Sequence, residues 1–161
     1  MAKIVLNTSE DYFDFMLFGI VCQENQYHVV SAINQYLKIN LCLTDFLPFN
    51  LKDGKLFNFS LYTFLDEDLG VNFQLIPNNS NFDEPNINGL KSNDLFAEVD
   101  VDESVKLIKE LPKTDYFLLV KGEDIYNYQA KIIDKLKLIP EVIQVQFIEA
   151  NELASKRNLI F

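Results

Sequence analysis

Apolar runs separated by clusters of turn formers divide the chain into blocks, and the spacing inside each block indicates an element. Ile4-Val5-Leu6 is a short strand candidate followed by the polar Asn7-Thr8-Ser9-Glu10-Asp11. Tyr12 to Cys22 is a nearly unbroken apolar run rich in aromatic and β-branched residues, the pattern of a central strand covered on both faces. Gln23-Glu24-Asn25 then supplies a helix start, and Tyr27, Val30, Ile33 and Leu37 recur at three- and four-residue spacing, which predicts a helix to about Lys38. A second strand begins at Leu41-Cys42-Leu43-Thr44, and Pro48 is expected to break the Phe46–Asn50 stretch.

Lys52-Asp53-Gly54-Lys55 carries the Asp-Gly pair of a tight hairpin turn. Leu56 to Leu65 partly alternates, and Asp66-Glu67-Asp68-Leu69-Gly70 leads into Val71–Leu75, so two antiparallel strands meet at an acidic turn. Residues 77–94 are mostly Asn, Asp, Pro and Gly with little to bury, the composition of a long, flexible Asn-rich surface loop. Leu95–Val99 is predicted to return as an edge strand. Asp102 to Leu111, acidic first and carrying Lys106 and Lys109 later, suits the dipole of a short helix ending at Pro112.

Asp115-Tyr116-Phe117 then echoes Asp11-Tyr12-Phe13 and opens a similar series: a strand to Val120, the turn Gly122-Glu123-Asp124, and a helix with stripe Ile125, Tyr128, Ile132 and Leu136. Pro140 is expected to stop that helix. Val142–Ile148 alternates Val142, Gln144 and Gln146 against Ile143, Val145 and Phe147, marking a strand with one wet face near a sheet edge. Two β-α-β units framing antiparallel strands, both helices on one face by the right-handed crossover rule, predict an α+β fold, a ferredoxin-like two-layer sandwich. A single domain over 1–161 is expected.

Composition agrees with a packed core. The chain has 161 residues, 48% hydrophobic, with 14 Phe, 7 Tyr and no Trp, enough apolar bulk to fold without disulfides or metal. Its net charge of -10 would meet a phosphate backbone or an anionic membrane with repulsion, so neither nucleic acid nor membrane is an expected partner. The acidity reads first as a means of solubility, and more sharply as a surface for a basic protein partner. Cys22 and Cys42 are too few and too far apart for a disulfide scaffold or a CxxC metal site and read as buried free thiols. The first residues lack a secretory apolar segment, and the longest apolar stretch, Phe15 to Cys22, is far short of the ~20 residues of a spanning helix. A soluble cytoplasmic protein is expected.

Chemistry-bearing residues are sparse. His28 is the lone histidine and lacks the partners of a triad or a metal shell, so it reads as a surface or helix-packing residue; a thiolate–imidazole pair with Cys22 is the sharper alternative. Glu98, Asp100 and Asp102 would project to one side of an extended chain as hard oxygen ligands for Ca²⁺ or Mg²⁺; the plainer reading, with Glu103, is a solvated cap on the following helix. Glu84-x-Asn86-x-Asn88-Gly89 mimics part of an EF-hand loop, but its first position is Glu and its twelfth is Leu95, so it is rejected. The scattered glycines form no phosphate cradle, and no cofactor is expected. After the basic Ser155-Lys156-Arg157, the run Asn158, Leu159, Ile160 and Phe161 is a candidate interaction element, docked on its own core, on a second copy or in another protein.

The chain's length, the strand Asp115-Tyr116-Phe117-Leu118-Leu119 approached from a Pro- and Glu-containing turn, and the Asn158–Phe161 ending resemble a family of small bacterial proteins named for an Ile-Pro-Glu-x-x-Val-Asp motif. Here Lys109–Thr114 precede Asp115, which alone holds the motif's place, and Ile139-Pro140-Glu141 is not followed by Val-Asp. The resemblance implies no activity or site. Three functions remain in order. The first is a non-catalytic interaction or self-assembly module, using a sheet edge or the terminal run to form a homodimer or to bind another protein. The second is a regulatory domain holding a small ligand between helices and sheet, lined by Tyr12, Tyr62 and Tyr116. The third is a carboxylate-based, metal-dependent enzyme.

Overall fold

The computed structural model describes residues 14–50, 56–80 and 105–161, except for the side chain of Asn50. The elements are β1 (Met16–Cys22), α1 (Gln26–Leu37), β2 (Cys42–Asn50), β3 (Leu56–Asp66), β4 (Val71–Pro77), β5 (Tyr116–Lys121), α2 (Gln129–Lys137) and β6 (Val142–Ile148). They build an α+β fold around one six-stranded sheet in the order β2-β3-β4-β5-β1-β6. Every neighbouring pair is antiparallel. The strands flanking α1 run parallel but are separated by β5, β4 and β3, and those flanking α2 lie on either side of β1.

The most apolar strands occupy the interior. β1 and β5 are buried along almost their whole length, as their unbroken apolar runs require. Between β5 and β6, a Cβ on Gly19 would stand 2.7 Å from Ile148 Cδ1 and 3.2 Å from Thr114 Cγ2, so glycine leaves β1 the room those two side chains occupy. Asn25 caps α1 by accepting the His28 amide at 3.1 Å. Lys38 ends it in the left-handed region at φ 59. Asn34 then grips the chain's return, its Oδ1 accepting from the Leu41 amide at 2.7 Å and its Nδ2 donating to the Leu41 carbonyl at 3.1 Å.

Several expectations need correction. β1 begins at Met16. Pro48 does not break its strand: β2 runs through it and pairs it with Asn58, because β2 lies at the sheet edge, where a missing N–H is tolerated. The second helical stripe is divided, since Ile125–Tyr128 forms a 3-10 turn ahead of α2, which ends at Lys137, before Pro140. The beginning of the expected flexible loop is ordered: Pro77 ends β4 and Asn78 is fully buried. Residues 105–111 form bends and turns instead of a helix, held by an isolated bridge between Asn79 and Lys106. The remainder of that loop, the proposed strands Ile4–Leu6 and Leu95–Val99, and the Asp53-Gly54 turn lie outside the described residues.

The sheet is apolar on both faces. On one, Phe18, Leu118, Leu75 and Tyr62 pack with Val29, Val30 and Ile33 of α1 and Ile132 and Leu136 of α2. On the other, Leu17, Phe117, Leu119, Ile76 and Phe59 pack with Leu107, Ile108, Leu153 and Leu159. A two-layer expectation assigns that second face no cover. Its cover here is irregular chain, residues 105–111 and the segment after β6.

Irregular backbone over a core must have its polar groups satisfied, and Asn78 does this from beneath. Its Nδ2 donates to the carbonyls of Leu111 at 3.0 Å, Thr114 at 2.9 Å and Ile108 at 3.5 Å, while its Oδ1 accepts from the Ile108 amide at 2.8 Å. Its backbone donates to Asp115 O at 2.8 Å and accepts from Leu107 N–H at 2.9 Å. Asn78→Ala should therefore lower unfolding stability by roughly 3 kcal/mol, because a buried amide and carbonyls lose their partner. Denaturant titration of the two proteins measures this, and a loss under about 1 kcal/mol contradicts the assignment.

Candidate interaction surface

The two sheet edges differ in chemistry. At the β2 edge, Pro48 has no N–H, and the Phe46 amide donates to the Asp45 carboxylate at 2.8 Å. The register also shifts between Leu43 and Asp45. A missing donor, an occupied donor, a bulge and an acidic residue are the devices that keep an edge strand from accepting another. Exposed Leu43 and Phe46 are therefore apolar surface beside a blunted edge.

The β6 edge lacks most of these devices. Its sequence, Val142-Ile143-Gln144-Val145-Gln146-Phe147-Ile148, contains no charge, proline or glycine. One irregularity remains: Gln144 pairs with Val21 and Val142 with Cys22, leaving Ile143 as an extra residue at the start of the strand. From Gln144 to Ile148 the ladder is regular. Ile143 and Leu138, just past the end of α2, are both 66% exposed.

The segment after β6 is tied to its own chain. It turns through Ala150–Glu152 and Lys156–Leu159. Leu159 is fully buried in the second core, and Asn158 Nδ2 donates to the Leu107 carbonyl at 2.7 Å. Ser155 donates to Glu110 from its amide at 2.5 Å and its hydroxyl at 2.7 Å. Burial acts to raise the Glu110 carboxyl, but these hydrogen bonds outweigh it and hold the carboxyl below its usual range. Half-buried Lys121 places its ammonium 5.6 Å from the Phe15 ring centre and 5.9 Å from that of Phe161. Ile160 and Phe161 stay partly exposed beside a groove of about 290 Å³ lined with Leu47, Phe49 and Phe59.

A cleft of about 350 Å³ opens where β1 passes into α1, lined by Glu24, Tyr27, Asn79, Asp115 and Tyr116. Tyr116 donates to the Glu24 carbonyl at 2.8 Å, and Asp115 Oδ2 accepts from the Cys22 amide at 2.9 Å. Tyr62 donates to Gln26 Oε1 at 3.3 Å, so two of the three tyrosines suggested by the sequence lie at this end of α1, while Tyr12 is outside the described residues. Burial, followed by nearby Cys22, Asp115, Tyr62 and Glu24, pushes the Tyr116 phenol up to about 12.

The nucleophile alternative finds no support. Cys22 is buried and its thiol is pushed up, first by that burial, the reverse of an activated thiolate. His28 is a surface residue, its Nδ1 lying 3.3 Å from Glu24 Oε2. Cys42, expected to be buried, is exposed. Glu98, Asp100 and Asp102, and the loop resembling part of an EF-hand, lie outside the described residues. Among the described residues no cluster of three or more His, Cys, Asp or Glu is placed to hold a metal ion. No helix among them is long and apolar enough to cross a membrane.

Asn78, Asp45 and Lys121 carry roles that sequence reasoning missed. For Asp45 a signal exists, a carboxylate immediately before Phe46 in a strand with proline; for Asn78 and Lys121 the roles depend on tertiary neighbours. Protein-family models, curated proteins and solved structures yield no match to this chain.

Because the Tyr116 pKa is raised on folding, its contribution is complete below the unfolded value of about 10. It is lost as pH rises toward the folded value of about 12. Tyr116→Phe should cost about 1 kcal/mol at neutral pH through the lost hydrogen bond and should flatten the alkaline fall in stability. Melting temperature against pH for both proteins checks this; parallel curves above pH ~10 contradict it. The sign is opposite at Glu110, whose depressed carboxyl contributes above its unfolded value and loses that contribution on acidification. Glu110→Gln should weaken the acid dependence of the melting temperature, and an unchanged dependence would remove Glu110 from the docking of Ser155.

Proposed function

We propose that the chain is a non-catalytic self-assembly module whose contact is the edge of β6, which no other described strand covers. The observation that carries this reading is the contrast between the edges: each strand carries one register shift, but β2 is further blunted by Pro48 and Asp45, whereas β6 offers an uncharged strand. The terminal run, the other element considered for assembly, has Asn158 and Leu159 committed within the chain, which favours the edge over the tail. The same proposal takes β4-β5-β1-β6, with both helices on one face, as a ferredoxin-like unit extended by β2 and β3. It takes the protein as soluble and cytoplasmic, with Cys22 and Cys42 free, and leaves the family resemblance standing without an activity attached.

A second reading has one observation in its favour. The cleft beside Tyr116 is large enough for a small ligand, and aromatic rings, amides and two carboxylates line it. A regulatory domain would use that space. Stabilisation against heat by a metabolite, lost in Tyr116→Phe, would favour it.

Light scattering after size exclusion, over a range of concentrations, tests the leading reading. The wild-type chain should approach twice the monomer mass as concentration rises. Gln144 is exposed, so Gln144→Lys should leave the melting temperature nearly unchanged while weakening association roughly tenfold or more. Phe161→Ala should not weaken it. A wild-type monomer at the highest soluble concentration removes the self-assembly reading.

A further inference from the structure

On the reading that β6 is the contact, we infer that the strand it accepts is β6 of a second copy, antiparallel, with the two-fold axis passing at Val145. A two-fold antiparallel pairing places each residue opposite one equally far from the axis on the other strand. A strand suited to it must therefore read alike in both directions. Through its regular centre β6 does: Val145 falls opposite itself and Gln144 opposite Gln146, with the apolar Ile143 and Phe147 next in line on either side. Apolar residues meet apolar residues, and amide meets amide.

The surrounding structure suits this register. The extra residue Ile143 lies near one end, so the central Gln144, Val145 and Gln146 belong to the regular part of both strands. Gln144 and Gln146 share a sheet face, opposite the one on which Val145 packs with the helices. Side-by-side glutamines would then exchange hydrogen bonds across the junction. The exposed Leu138 and Ile143 flank it with apolar surface. The pairing joins two six-stranded sheets into one continuous sheet and leaves the blunted β2 strands as its outer edges. Closure stops there, since a two-fold contact uses each β6 once.

The register is tested by cross-linking in a Cys42→Ser background, which removes the exposed thiol. Gln144→Cys and Gln146→Cys proteins are oxidised mildly, each alone and mixed. Directly opposite Cβ atoms lie about 4.5–5.5 Å apart, close to disulfide reach, whereas diagonal ones lie about 7–8 Å apart. The expected result is a disulfide-linked dimer dominated by the mixed 144–146 product, with little from either protein alone. A chain that doubles its mass and is disrupted by Gln144→Lys but yields no preferred 144–146 product overturns the two-fold register and leaves the edge reading intact. A monomer under all conditions overturns both.

Discussion

The sheet is apolar on both faces, and among the described residues two α-helices are there to cover them. α1 and α2 take one face, so the other must be closed by chain that supplies no regular hydrogen bonding of its own. Asn78 makes that arrangement possible. From the end of β4 it satisfies the 107–114 backbone through side chain and main chain together. That backbone places Leu107 and Ile108 against the sheet and gives Asn158 a carbonyl to hold. Removing this asparagine would loosen the cover and the docking of the terminal segment together.

With both faces covered, the two end strands are where the described sheet stays open. Backbone groups at an edge are unsatisfied wherever no strand follows, and proteins that remain monomeric disguise both ends. This chain disguises one. Asp45 and Pro48 immediately flank Phe46–Leu47 in the strand that closes one end, whereas β6 closes the other with glutamines and apolar residues. The asymmetry favours an association that uses one edge and ends there. The cleft at Tyr116 is separate from that edge and packs beside α1, so a ligand there and a partner at β6 would not compete for the same side chains.

Much of the fold was legible in the sequence because its signals were local. The Asn25 cap, the α1 positions Val30 and Ile33 and the acidic turn after β3 all follow from residues within a few positions of one another, whereas Tyr27 of the expected stripe is exposed and the bulge at Ile143 brings Val142 onto the face of Val145. Failures arose where a distant contact decided the outcome. Pro48 reads as a break until β2 is known to be an edge. Asp102 to Leu111 carries the charge order of a helix, yet across 105–111 Asn78, some 30 positions away, takes backbone groups a helix would pair. Asn78 itself sits in a stretch whose composition suggests a loop. The candidate site was legible only in part: the sequence placed β6 near an edge, but which edge is open depends on the strand order.

The central claim is that association, where it occurs, covers β6 and no other edge. Hydrogen exchange at backbone amides, followed strand by strand as protein concentration is raised through the mass transition, tests it most directly. The account predicts that amides of Gln144 to Gln146 slow with the rise in mass while those of β2 are unchanged. Mass that doubles with unchanged β6 exchange, or with protection appearing along β2, would contradict it.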